Sequence, residues 1–221
     1  MNRESEAAKI LGRRGGSVRS AAKNEANRLN GMKGGRPRKE ARKRVDDPVS
    51  ILGPTLKVIN QLEDEGIIRR PTIGGSIALM YYSQPAKTDD LDIFCYIVGQ
   101  GDFVSLAPIY KRLEELKYET KDLYINIEGV DVQFLVPGPL EALSQEALNN
   151  SIEIRVEGVP TRVFQYEYAL AVKAQANRSK DWIHIISAIE SAEPDETKLM
   201  PILEKYNLVE RWKRRTSDES L

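Results

Sequence analysis

Beyond residue 48 the apolar positions of this chain switch between two periods, and each switch marks an element. Residues 49–62 place Leu52, Leu56, Ile59 and Leu62 at helical spacing before Gly66 ends the run, and Pro54 must then sit in the first turn or kink the helix. An extended stretch at 70–73 gives way to a helix-like run at 76–82, and a strand follows at 91–98. Leu106, Ile109, Tyr110, Leu113 and Leu116 outline a helix over 106–116. Extended runs at 122–127 and 130–136 flank Glu128-Gly129, and others at 152–156 and 161–164 flank residues 157–160; both pairs read as hairpins. Helical patterns then cover 166–176, 181–191 and 196–214. Sheet elements first and helices after predict an α/β (α+β) fold: a small mixed-sheet palm over residues 47–165, a helical lobe over 166–221, and a cleft between them.

The same alternation places charge. In a strand entered near Asp90, Asp90 and Asp92 point to one side while Leu91 and Ile93 enter the core. Two close carboxylates repel unless a cation lies between them, and hard oxygen ligands in that arrangement suit Mg²⁺ or Mn²⁺. Asp131, inside the apolar run after Gly129, can add a third carboxylate from a neighbouring strand. Gly74-Gly75-Ser76 stands between the extended stretch and the helix-like run that follows it. A turn without Cβ atoms bares backbone N–H groups at a helix N-terminus, which makes a phosphate cradle, and Ser76 can also cap the helix. A phosphate cradle facing a metal-binding carboxylate cluster is the equipment of phosphoryl or nucleotidyl transfer.

Composition narrows the setting. The 221 residues, 41% hydrophobic and 30% charged, suffice for one medium domain and an appendage. No apolar run approaches the roughly 20 residues of a membrane span, and the first residues lack the apolar core of a signal peptide, so a cytoplasmic protein without a membrane partner is expected. One cysteine and one histidine exclude an internal disulfide and a Cys/His zinc cluster. Cys95, in mid-strand, reads as core packing, and His184, among Ile183, Ile185 and Ile186, as structural or exposed.

The formal net charge of zero conceals an asymmetry. Residues 1–45 carry 14 Lys and Arg against 4 Asp and Glu, a charge of +10, and the remainder carries 19 against 29, a charge of −10. The tail, residues 1–46, is too poor in large apolar residues to offset its ordering entropy and is expected to be disordered. Its charge suits a polyanion, RNA or DNA. Gly34-Gly35-Arg36-Pro37-Arg38-Lys39 resembles an AT-hook of the kind that enters A·T-rich minor grooves, although the usual arginine before the glycine is missing.

Gly74-Gly75-Ser76, thirteen intervening residues and then Asp90-x-Asp92, with Thr88 two residues ahead, resemble the nucleotidyltransferases of the DNA polymerase β superfamily. The likeness is to the small bacterial members, the minimal nucleotidyltransferases and the AbiEii-like toxins. Residues 168–181 are similar to that family's lysine-bearing helix, with Lys173, and to the Lys180-Asp181 pair that follows it. The resemblance covers about residues 71–189. It implies an enzyme that moves NMP from a nucleoside triphosphate such as ATP to a hydroxyl acceptor, with Asp90, Asp92 and Asp131 as metal ligands and catalytic residues. Gly74, Gly75, Ser76 and Lys173 would then meet the triphosphate.

On a helix Arg178 stands roughly 140° from Lys173, so the two reach one phosphate only if the helix ends between them. Asp181 reads as the N-cap of a helix from Trp182 onward. The expected acceptor is an RNA 3′ end such as tRNA, then a protein hydroxyl, then an aminoglycoside-like small molecule; a toxin-antitoxin setting with a helical partner protein is implied by the same resemblance. The alternative is a nucleic-acid-binding regulator whose domain senses nucleotide without catalysis.

Deleting residues 1–45 should leave a folded, catalytically competent body, since the segment supplies almost no apolar surface. RNA or DNA binding should weaken and its salt dependence become shallower, because fewer counterions are released. Titrations of both proteins at several salt concentrations check this; equal affinities and slopes would remove the tail's role.

Overall fold

A computed structural model of the chain describes residues 52–83, 88, 90–99, 105–121 and 123–217. The basic tail, its AT-hook-like stretch and Asp89 lie outside these residues. The described residues form eight helices and seven strands: α1 (Leu52–Asp64), β1 (Ile68–Ile73), α2 (Gly75–Tyr82), β2 (Asp90–Ile97), α3 (Ala107–Glu115), β3 (Thr120–Lys121), β4 (Tyr124–Ile127), β5 (Val130–Leu135), α4 (Ala142–Asn149), β6 (Ile152–Val156), β7 (Val159–Val163), α5 (Tyr166–Ala176), α6 (Ser179–Ser191), α7 (Glu196–Lys205) and α8 (Val209–Thr216). The strands make one mixed sheet in the order β3-β4-β5-β2-β1-β7-β6, with β3 a two-residue edge. Parallel pairings join β2 to β5 and β1 to β7, and the other neighbours are antiparallel.

Glycine and proline chemistry fixes the turns. Glu128-Gly129 and Glu157-Gly158 each take two consecutive positive φ angles, +53° and +88°, then +50° and +79°. Paired positive φ is the type I′ signature whose twist matches antiparallel strands. The second hairpin turn is therefore two residues long, not the four expected, and β7 begins at Val159. Pro71 sits within β1, where it cannot donate to the ladder. The strand accommodates it with a register shift between Arg69 and Thr72, and Arg70 takes a φ of +55°. The Arg70 guanidinium then donates to the carbonyls of Leu148 and Asn149, tying the kink to the end of α4.

Two helical readings change. α4 was not expected; it follows Gly138-Pro139 and buries Leu143, Ala147 and Leu148. The helix expected over 196–214 is two, because Asn207 takes a φ of +56° between α7 and α8. Pro54 falls in the first turn of α1, where its missing N–H costs nothing.

The sheet and the helices share one apolar cluster, to which Leu91, Ile93 and Val132 belong together with Leu170, Trp182 and Leu203. Helix α5 packs against α2, α4, α6 and α7. Cys95 is fully buried in this core, and burial, with the charge of Glu63, pushes its thiol up to about 12, which makes it inert as a nucleophile. Among the described residues no helix is long and apolar enough to cross a membrane.

Phe164, fully buried, packs its ring 4.7 Å from that of Phe94 and lies under the Gly74 turn. Phe164→Ala should cost about 3–5 kcal/mol through lost transfer energy and the cavity left behind. Urea denaturation midpoints measure the loss, and a cost under about 1 kcal/mol would show that the site collapses freely.

Candidate active site

The central strands bring the predicted carboxylates together. Along β2, Asp90 and Asp92 are half-buried while Leu91 and Ile93 are buried, so both carboxylates leave the sheet on one face. Asp131 stands opposite Asp90 in the parallel β2–β5 ladder and opposite Asn126 in the β4–β5 hairpin. The glycine turn lies alongside, because the Gly74 N–H donates to the Asp92 carbonyl at 2.9 Å.

Each glycine has a separate reason. A Cβ on Gly74 would stand 2.4 Å from the Phe94 ring, and one on Gly75 would stand 1.8 Å from Asp92 Oδ2. Gly75 also takes a φ of +58°, where other residues are strained. The turn and the carboxylate therefore occupy adjoining space, with α2 starting at that point and Ser76 its second residue.

The carboxylates differ in their partners. Asp90 accepts from Thr88 Oγ1 at 2.9 Å and from the Tyr124 hydroxyl at 3.3 Å. Burial and the charge of Asp90 raise the Tyr124 phenol, which keeps it a donor. Asp131 accepts from Asn126 Nδ2 at 2.8 Å. Asp92 has, among the described residues, neither an ion pair nor a hydrogen bond on its carboxylate. No buried side-chain oxygen in these residues lacks a partner, so the Asp92 oxygens are reachable from solvent. Burial first, then the charge of Asp90, raises the Asp92 carboxyl above the usual range, while Lys173, Arg178 and Lys180 pull it back.

Tyr124 and Asn126 went unnoticed in the sequence. They alternate along β4, and the register of the Glu128-Gly129 hairpin places Asn126 beside Asp131. That combination of period and register was the available signal.

The lysine helix ends as its geometry requires. α5 stops at Ala176 and Asn177 takes a φ of +56°, so Lys173 and Arg178 can converge. They converge on Asp181, whose carboxylate is fully buried, with Lys173 Nζ at 3.1 Å and Arg178 Nε at 2.7 Å. Asp181 is consequently not the N-cap expected, since α6 begins at Ser179 with Arg178 as its cap residue and Asp181 lies in its first turn. Burial alone would raise the Asp181 carboxyl, but the bonds from Arg178 and Lys173 outweigh it and hold the group below the usual range. Lys173 is only 5% exposed; its charge stays inside the protein, so it does not snorkel.

His184, expected to be structural or exposed, is half-buried one turn further along α6, and its Nδ1 lies 2.7 Å from Ser76 Oγ. The flanking isoleucines diverge, Ile183 being exposed and Ile185 fully buried.

Whether these residues suit a divalent cation can be tested on the donors themselves. Asp90 and Asp92 are like charges on one face, Asp92 has an open carboxylate, and Asp131 is the lateral neighbour of Asp90; all are hard oxygen donors. Among the described residues no three His, Cys, Asp or Glu side chains already converge as a metal cage. The Asp131 contact with Asn126 and the Asp90 contacts with Thr88 and Tyr124 show where those two carboxylates are held instead. The donor type suits a hard cation, the three side chains do not yet converge on one point, and these contacts are the ones a cation would compete with. Two open clefts, of about 360 and 590 Å³, lie elsewhere: one is lined by Glu146, Tyr168 and Lys205, the other by Glu63, Arg155 and Arg162.

No protein-family model matches the chain, and no curated protein matches it in sequence. Among solved structures it is similar to an antigenic nucleotidyltransferase-like protein from Paracoccidioides brasiliensis, with 15% identity over 76% of this chain and 93% of that one and a TM-score of 0.45. It is also similar to the antibiotic-resistance factor ANT(2″)-Ia, with 16% identity over 72% of this chain and 95% of that one and a TM-score of 0.44. Likenesses this distant carry no weight for the chemistry, which rests on the side chains just described.

Asp181→Asn should destabilise the fold by about 3–5 kcal/mol, because it leaves the Lys173 ammonium buried and unpaired. The lowered Asp181 carboxyl contributes stability above the unfolded carboxylate value of about 3.9, and that contribution is lost as pH falls through the lower folded value. Urea denaturation between pH 7 and pH 2 should therefore show a flatter acid limb in D181N than in the wild-type chain. Parallel limbs would show that Asp181 is not coupled to folding.

Proposed function

We propose that this chain is a metal-dependent nucleotidyltransferase. The observation that carries the reading is the Asp92 carboxylate: half-buried beside a second carboxylate, without an ion pair among the described residues, and pressed against a glycine turn at a helix N-terminus. A protein retains such an unpaired carboxylate where something cationic completes it.

Asp90, Asp92 and Asp131 would hold Mg²⁺ or Mn²⁺, and the ion would supply charge neutralisation on the phosphates and activation of the attacking oxygen. The protein's own groups do the rest. The backbone N–H groups of the Gly74-Gly75 turn and the Ser76 hydroxyl meet phosphate oxygens. Lys173 adds charge from behind, with the two ammonium protons that Asp181 does not take. The acceptor hydroxyl attacks the α-phosphorus in line, the bond to pyrophosphate breaks, and Asp131 accepts the hydroxyl proton.

An RNA 3′ end such as tRNA is the acceptor that the basic tail favours, with a protein side chain next and a small aminoglycoside-like molecule third. The AbiEii-like or minimal-nucleotidyltransferase type, a toxin-antitoxin setting with a helical partner, and a cytoplasmic location belong to the same proposal.

The test is incubation of the purified chain with Mg²⁺, each labelled nucleoside triphosphate, and total RNA or cell protein. Label should appear in one acceptor fraction, and Asp90→Asn or Asp92→Asn should reduce it on the order of 100-fold or more. Both variants should fold, with melting temperatures in the absence of metal unchanged or slightly higher, because a repulsive charge has gone. Full transfer by either variant would sink the metal assignment. Nucleotide binding without transfer would instead establish the sensing regulator.

A further inference from the structure

Ser76 has one proton, and two groups compete for it. If His184 Nδ1 accepts that proton, the Ser76 oxygen turns only lone pairs to the glycine turn, and an arriving phosphate oxygen is repelled. If Nδ1 carries a hydrogen of its own and donates it to Ser76 Oγ, the hydroxyl proton is free for the phosphate. The 2.7 Å contact is compatible with both directions, and the ring tautomer decides between them.

The surroundings leave that choice open. Burial first, then the charges of Lys173 and Lys180, lower the His184 imidazole, against the opposing pull of Asp181 and Asp90. The ring is thus neutral near pH 7, with one hydrogen to place on Nδ1 or Nε2. Among the described residues Ser76 is its hydrogen-bond partner, and nothing fixes the tautomer from the Nε2 side. Geometry limits what His184 can do directly: it reaches the turn through Ser76, and it sits on the same helix as the Asp181 pair that anchors Lys173 and Arg178.

We propose that His184 is a positioning residue for phosphate at the Gly74–Ser76 turn: it accepts from Ser76 when the turn is empty and donates from Nδ1 to Ser76 Oγ when an anion occupies it. This rests on the nucleotide reading above. The exchange breaks and forms no bond to phosphorus. One hydrogen leaves Nε2 for solvent, one arrives at Nδ1 from solvent, and the Ser76 O–H rotates toward the phosphate oxygen. The serine is thereby converted from a group that spends its proton inside the protein into a donor for the ligand.

His184 is the only histidine in the chain, so its ring nitrogens can be observed without ambiguity by nitrogen-15 NMR. Adding inorganic tripolyphosphate with Mg²⁺ to the full-length protein should move Nδ1 from the unprotonated to the protonated range. An Nδ1 that stays unprotonated while the probe is bound would overturn the proposal. Calorimetric titration with the same probe supplies the second readout. H184A removes the Ser76 contact from the empty and the occupied state alike. It loses only the polarisation that a donor on Oγ gives the hydroxyl facing the anion, so binding should weaken about threefold. H184N, whose amide nitrogen stands near the Nδ1 position and can donate, should restore it, whereas H184Q, which reaches toward Nε2, should not.

In a Ser76→Ala background, H184A should add nothing, since the effect runs through the hydroxyl. Equal losses in H184N and H184A, or additive losses in the double variant, would assign His184 to packing. Should H184A fail to fold, the spectrum of the wild-type chain and the contrast of H184N with H184Q decide. A wild-type chain that binds neither tripolyphosphate nor any nucleoside triphosphate would overturn the nucleotide reading and this role with it. Binding unchanged in both H184A and Ser76→Ala would overturn the role alone.

Discussion

The close approach of Gly75 to the Asp92 carboxylate is the constraint on which the rest of this site depends. A carboxylate is held half-buried beside a second one, and the backbone must pass so near that a single methyl group would collide with it. Side chains two residues apart on a strand lie about 7 Å apart, and at an effective dielectric constant near 20 their repulsion is about 2 kcal/mol. Burying one large aromatic or aliphatic side chain offsets that, at about 1.5–3 kcal/mol. The fold buries Leu91 and Ile93 of the same strand and Phe94 and Phe164 beneath the adjoining glycine turn, so it can tolerate the charge without neutralising it.

The compensation is held at a distance. Lys173, Arg178 and Lys180 lower the Asp92 carboxyl through the field, while two of them form their bonds with Asp181. Had either cation paired with Asp92 directly, the carboxylate would be closed to a metal ion. Asp181 acts as a buried anchor that fixes both cations beside Asp92 yet keeps them off its carboxylate. A buried ion pair adds little net stability over apolar packing but makes loss of one partner expensive, which suits a device for holding geometry. Helix α6 also supplies His184 to Ser76, so one short stretch, residues 178–184, contributes both the charges of Arg178 and Lys180 that act on Asp92 and a side-chain partner of the glycine turn.

Much of the scaffold was legible because local rules sufficed. Glu128-Gly129 marks the turn of its hairpin, and α5 covers the expected residues, Tyr166–Ala176, where left-handed Asn177 ends it. The errors have local causes too. The register shift around Arg70 interrupts the alternation of β1, which hides its pairing back to Ile68, and Asn207 breaks a run of good helix formers. α4 was missed because it is short, eight residues of which four are buried, too few to establish a helical period.

The sequence by itself determined the carboxylate pair and the turn beside it. Alternation puts Asp90 and Asp92 on one face whatever the tertiary context, and consecutive glycines mark a backbone that must approach something closely. Only the tertiary structure decided the partners. That Asp131 lies level with Asp90 follows from a parallel register between strands more than thirty residues apart, as β2 and β5 are. That Lys173 serves Asp181, and that His184 meets Ser76 across 108 residues of chain, follows from the packing of α6 on α2 and α5. No spacing rule encodes such contacts, because they depend on how far each helix rotates when its apolar face is buried.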